Sequence, residues 1–197
     1  MKYVNRMKTR LVLLLLLVSM TVSAQWTEQM YTLYTYDNYT EYAAFNEPVK
    51  PENLDIALLE AAIFYETNRQ RVANGVDQLQ YDASLHACAR NHSVDMVEHN
   101  FFSHTSVVEG KTRMSDRLAR VGYTNCTSGE NILYSPVKES YAATAKYLVS
   151  EVWMNSPGHR QNILKAEYTH LGAGVAFYFE RTWLMVKATQ NFLAKRK

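Results

Sequence analysis

The chain has 197 residues, with 21 Lys and Arg, 19 Asp and Glu and two cysteines. Lys2, Arg6, Lys8 and Arg10 all lie in the first 24 residues, where there is no acid, so the remainder holds 17 bases against 19 acids. A slightly acidic body without a basic cluster excludes a nucleic-acid footprint, and the Lys195-Arg196-Lys197 tail reads as a solvated end.

After the four early bases, Leu11 to Val18 is an unbroken apolar run, and Val22-Ser23-Ala24 supplies small residues before Gln25. This is the layout of a signal peptide over residues 1–24, and its apolar run is too short to span a bilayer. Export to the periplasm or the cell exterior is the expectation, with no transmembrane anchor left after cleavage. Residues 25–52 then carry Tyr31, Tyr34, Tyr36, Tyr39 and Tyr42 among polar residues and end in Pro48 and Pro51. They read as a lead-in that packs across the domain. The same stretch could stack on a sugar, or dock on an envelope component as an arm removable without loss of the fold.

Residues 53–197 read as one domain, long enough for a single core. Leu54, Leu58, Ala62, Tyr65 and Val72 recur at helical spacing before Asn74-Gly75, which supplies a stop. Asp82 caps a second helix with Leu85, Ala89, His92, Met96 and His99 along one stripe, since its carboxylate can accept from the first turn. A shorter helix follows over Ser115–Val121, and a fourth starts near Glu139 with Tyr141, Ala145, Leu148 and Val152 inward. Pro157-Gly158 break that helix and place His159 in the first turn of a short fifth one ending at Ile163–Leu164. Ile132–Tyr134 is a short strand. Residues 171–179 alternate and turn at Glu180-Arg181 into Trp183–Phe192, a β-hairpin. The expected class is α+β, with helices flanking a small, mostly antiparallel sheet.

In an oxidising compartment Cys88 and Cys126 can pair or stay separate. A bridge would close nearly forty residues and contribute about 4 kcal/mol, but sequence does not set the distance between them.

Of the six histidines, His92 and His99 stand two turns apart on one helix face, too far to chelate one ion alone. Asp95 and His99 at i,i+4 read as an ordinary surface pair. His104, in Phe101-Phe102-Ser103-His104, and His159 each follow a break in the chain and fit no apolar stripe. Gly129-Glu130-Asn131 is a third such place, with Glu130 opening a strand and Asn131 holding the turn.

These segments resemble the CAP superfamily, the cysteine-rich secretory, antigen 5 and plant pathogenesis-related proteins, and its bacterial SCP-like branch in particular. The resemblance rests on Phe101–Ser106, Gly129–Ile132, Trp153–Leu164, the Leu171–Val175 strand and Thr189–Phe192. It implies an α-β-α sandwich whose cleft is lined by two His and two Glu and in some members holds a divalent metal. Carried over by motif, His104 and His159 would be the histidines and Glu130 one glutamate. The second Glu would fall at Ser156, and Glu151, two residues before Trp153, lies on another side of the helix. His104, His159 and Glu130 are a ligand set acceptable to zinc. Without a second carboxylate the cleft lacks an evident general base. The resemblance therefore implies a secreted, non-enzymatic domain binding an extracellular lipid, glycan or protein at His104, Glu130, Asn131, Ser156 and His159. The alternative is a metal-dependent hydrolase acting on cell-wall peptide or extracellular protein.

Overall fold

The structure, a computed structural model, describes residues 26–195. The expected signal peptide lies outside the described residues. The lead-in forms short 3-10 turns at Glu28–Thr32, Tyr39–Glu41, Ala43–Phe45 and Pro51–Asn53. Helix α1 spans Ile56–Ala73, strand β1 Gln80–Tyr81, α2 Ala83–Glu98, α3 Met114–Ala119 and β2 Thr127–Pro136. Helix α4 (Tyr141–Lys146) continues into a π-helical turn over Tyr147–Trp153, followed by α5 (Pro157–Ile163), β3 (His170–Glu180) and β4 (Trp183–Ala194).

The sheet order is β1-β3-β4-β2. Only the short β1–β3 pair is parallel; β3–β4 and β4–β2 are antiparallel. Because side chains alternate along a strand, the sheet has two working faces. Leu171, Ala173, Val175, Val186, Ala188 and Phe192 join α1, α4 and the π turn in the main core. On the other face Leu193 meets Leu85, Cys88 and Leu118 from α2 and α3. This is the expected α+β sandwich.

Helix α1 is buried on all sides, with every residue from Leu58 to Asn68 inaccessible, so no single stripe describes it. Its outer side is covered by the lead-in, whose Trp26, Tyr39 and Phe45 are part of the main core. Trp26 meets Phe45 edge-on with centroids 5.0 Å apart, and Tyr39 stacks on Tyr65 at 5.1 Å. A removable arm is therefore not what these residues form. Asp55 caps α1, accepting from the Leu58 N–H at 3.1 Å, and Asp55→Ala should lower stability by about 1 kcal/mol in denaturant titration.

Helix α2 lies against the backbone of β3. A Cβ on Gly172 would fall within the backbone of Leu85 and His86, and one on Gly174 within that of Ala89 and Arg90. Between these helices the outer edge of β3 extends beyond the two residues of β1. There the buried Glu60 of α1 accepts the Val175 N–H at 3.1 Å and takes a bidentate bond from Arg90 of α2.

Several expectations need correction. β2 has ten residues rather than three, and it runs through Glu130 and Asn131 instead of turning there. Asp95 pairs with Lys111 at 2.8 Å rather than with His99, because the loop after α2 folds back over it. Lys195 is not a free end: it bonds Asp82 at 2.6 Å, beside the Tyr123 hydroxyl on the same carboxylate oxygen. Cys88 and Cys126 are unbonded, and burial pushes the Cys88 thiol up to about 11.

Candidate functional site

Glu130 sits in the middle of the edge strand β2, opposite Asn191 of β4. Its side chain is 3 % exposed, so a charge there needs partners on every side. His104 donates from Nδ1 to Oε1 at 2.9 Å, and Arg117 of α3 donates from Nη2 to Oε2 at 2.7 Å. Asn191 also donates to Oε2 at 3.1 Å while accepting the Ala89 N–H at 3.2 Å. The His92 Nε2 lies 3.9 Å from Oε1. Burial alone would raise the Glu130 carboxyl, but the His104 hydrogen bond, Arg117 and His92 outweigh it and hold it below the usual range. It is a fixed anion.

Arg117 also organises the loop that carries His104. Its Nη1 donates to the carbonyls of His104 at 3.2 Å and Lys111 at 3.1 Å. His92, buried in α2, meets the Ser103 carbonyl at 3.1 Å through Nε2. Phe102 is exposed and rests edge-on against Tyr134. With Nδ1 on Glu130, His104 is free to present Nε2 outward, and more than half of its side chain is exposed.

Asn131, next to Glu130, projects to the opposite face of the strand. It is fully buried and does not hold a local turn. Its Nδ2 donates to the His159 carbonyl at 3.1 Å and to Gln190 Oε1 at 3.0 Å, and its Oδ1 accepts from Asn162 at 2.8 Å. Gln190 in turn donates to Thr67 of α1 at 2.7 Å. A buried amide chain thus pins α5 to the sheet and fixes where His159 stands. Trp153 adds a bond from Nε1 to the Ile132 carbonyl at 3.4 Å.

His159 is half-buried, and its Nδ1 is enclosed without a hydrogen-bond partner. Burial and the nearby charge of His104 lower its pKa. Ser156 occupies the cap position of α5, with Pro157 in the first turn, but its side chain makes no capping bond. Glu151 is exposed on the π turn.

The site therefore contains His104 and Glu130 in direct contact, His159 within electrostatic reach of His104, and Asn131 as a strut behind them. Arg117, His92 and Asn191 were missed from sequence. Arg117 had a signal: it shares a helical face with Met114 and Val121 (i−3, i+4), so it was placed to point inward. The three-donor zinc set does not fit this arrangement. Glu130 is enclosed by Arg117, His104 and Asn191, and among the described residues no group of three His, Cys, Asp or Glu is placed to hold a metal.

A family model described as the cysteine-rich secretory protein family, CAP, matches residues 64–187. Two proteins of Bacillus subtilis (strain 168) are similar. The uncharacterized membrane protein YlbC is 38 % identical over 136 residues, 69 % of this chain and 34 % of YlbC. The uncharacterized protein YkwD is 34 % identical over 140 residues, 71 % of this chain and 49 % of YkwD. The chain thus spans between a third and a half of these relatives. Among solved structures, an extracellular protein containing an SCP domain from Bacillus anthracis str. Ames superposes with a TM-score of 0.59 at 31 % identity, over 75 % of this chain and 45 % of that one. A cysteine-rich secretory protein from Staphylococcus aureus gives 0.51 at 20 % identity over 71 % of this chain and 39 % of that one, a likeness of fold alone.

Proposed function

Because the chain belongs to the cysteine-rich secretory protein (CAP) family, we propose that it is an exported binding domain whose cleft presents the imidazoles of His104 and His159 to a polar group of an extracellular lipid, glycan or protein. The observation that carries this reading is the state of Glu130. Its two oxygens are taken by His104, Arg117 and Asn191, so no carboxylate in the site is left to activate water. The family's second glutamate has only the Ser156 hydroxyl in its place. The Nδ1 of His159 is enclosed, so a ligand hydroxyl or acid would meet the ring through Nε2.

Export rests on the basic and apolar pattern of residues 1–24, which lies outside the described residues. Among those described, no helix is long and apolar enough to cross a membrane. The SCP-domain relative from Bacillus anthracis is described as extracellular.

The test is to purify the full chain from its native envelope and identify co-purifying small molecules by mass spectrometry. The double variant His104→Ala/His159→Ala should retain at least about tenfold less of the ligand, since each lost 1.4 kcal/mol is a factor of ten. Zinc titration should show no stoichiometric binding at micromolar concentration. Tight zinc binding that needs both imidazoles, or peptide hydrolysis abolished by Glu130→Gln, would overturn the binding reading in favour of a hydrolase.

A further inference from the structure

Two open grooves lie far in sequence from the cleft residues, along the seam where the lead-in meets α1, β1 and α2. One, of about 470 Å³, runs past Trp26, Glu28, Tyr31, Tyr81, His86 and Arg90. The other, of about 430 Å³, runs past Glu28, Tyr31, Tyr34, Tyr36, Gln78 and Tyr81. Each has the size of a small-molecule site. Their shared wall is the pair Tyr31–Tyr81, stacked with ring centroids 3.9 Å apart and planes 15° from parallel. The other face of Tyr31 is turned to Tyr65, 5.9 Å away, so Tyr81 is the ring of the pair left to floor the track that the two grooves form.

The rim of this track is neutral and hydrogen-bonding. Thr27, Thr32, Thr35, Gln78, Gln80 and Asn91 line it and are exposed. Arg90 is already bidentate on Glu60, so its charge is cancelled. His86 meets Glu60 at 3.3 Å through Nε2, and burial lowers its pKa to about 4, leaving it uncharged near neutrality. Glu28, exposed, accepts from the Tyr81 hydroxyl at 3.3 Å and is the net charge of the track.

That chemistry selects among occupants. A polyanion would meet Glu28 with no free cation among the described residues lining the track to balance it. A lipid tail would leave the amides and hydroxyls of the rim unpaired, at a cost. An added peptide strand would need the outer backbone of the β1 region. There Asn68 already occupies Leu79, donating to its carbonyl at 3.0 Å and accepting its N–H at 2.8 Å.

We propose that this seam is a second binding site, for a neutral oligosaccharide whose ring C–H face lies on the outer side of the Tyr81 ring while its hydroxyls pair with the Thr, Gln and Asn side chains of the rim. Aromatic rings offer an apolar face with a polar edge, the combination that a pyranose presents in reverse. The site is separate from the His104–His159 cleft and does not depend on that cleft's ligand.

The experiment is isothermal titration of the full chain with neutral tetrasaccharides of β-1,4-linked glucose and of β-1,4-linked N-acetylglucosamine, and with a uronic-acid tetrasaccharide. At least one neutral probe should bind with a Kd below about 1 mM, and the acidic probe more weakly. Tyr81→Leu keeps apolar bulk but removes the ring, and should weaken binding about tenfold. Should that variant fold poorly, Gln80→Ala and Asn91→Ala, both exposed, carry the same test and should each weaken binding severalfold. No binding of either neutral probe, stronger binding of the acidic one, or binding indifferent to all three variants would overturn the proposal. Binding lost in His159→Ala but not in Tyr81→Leu would move the sugar to the cleft and overturn it as well.

Discussion

Gly174→Val should cost about 3 kcal/mol or more, the upper range for forcing atoms into a packed core, and so lower the melting temperature by about 6–12 °C for a domain of this size. The reason is the closeness of α2 to β3. Any Cβ at Gly174 meets the backbone of Ala89 and Arg90, and main chain cannot swing aside as the end of a side chain can. Ser93 Oγ bonds the Gly174 carbonyl at 3.0 Å and Thr189 Oγ1 at 2.8 Å, so a displaced helix also leaves buried polar groups unpaired. The site moves with the helix, because α2 supplies His92 to the His104 loop and the Ala89 N–H to Asn191. Differential scanning calorimetry checks the size of the loss. A variant as stable as the parent would show that α2 can be lifted without cost.

Arg117→Met should cost about 3–5 kcal/mol near neutral pH, the usual penalty for stranding a buried charge. The more telling result is a change in the sign of the pH dependence. In the parent chain the Glu130 pKa is held below its ordinary value. Its contribution is therefore full above the unfolded-state pKa of about 4.3 and is lost as pH falls through the lower folded value. Without Arg117, burial dominates and the folded pKa rises above the unfolded one. Glu130 then contributes most below the unfolded pKa, and that contribution fades as pH rises. Denaturant titrations between about pH 4 and pH 7 should show the variant's deficit growing with pH. Adding Glu130→Gln to Arg117→Met should recover part of the loss at pH 7; a deficit independent of pH would mean that Arg117 acts through packing alone.

His104, Glu130 and His159 were legible because each sits in a short motif whose order and spacing survive in the linear chain. Their supports were not. Arg117 and Asn191 reach Glu130 from different elements, and the face that Arg117 shares with Met114 and Val121 does not say which acid it meets. Asn131 was misread because Gly129-Glu130-Asn131 has turn composition. Pairing with the whole of β4 overrode that local preference. The helices were legible from period and caps, whereas β1 has two residues and no periodicity to detect. The lead-in carried its own signal in five tyrosines, yet only the tertiary structure reveals that its rings complete the core around α1.

The π-helical turn over Tyr147–Trp153 gives the cleft a property that no lining residue encodes. A π turn is an α-helix carrying one additional residue. The wide turn absorbs that residue locally, whereas deleting one position from the regular winding of α4 before it would rotate everything after it by about 100°. Trp153 would then leave the Ile132 carbonyl, and α5 would enter at a new angle with every side chain of the motif unchanged. The aperture between His104 and His159 is thus written partly as a residue count. A relative that keeps all the motif residues but differs by a single insertion or deletion in this helix would have a differently shaped cleft.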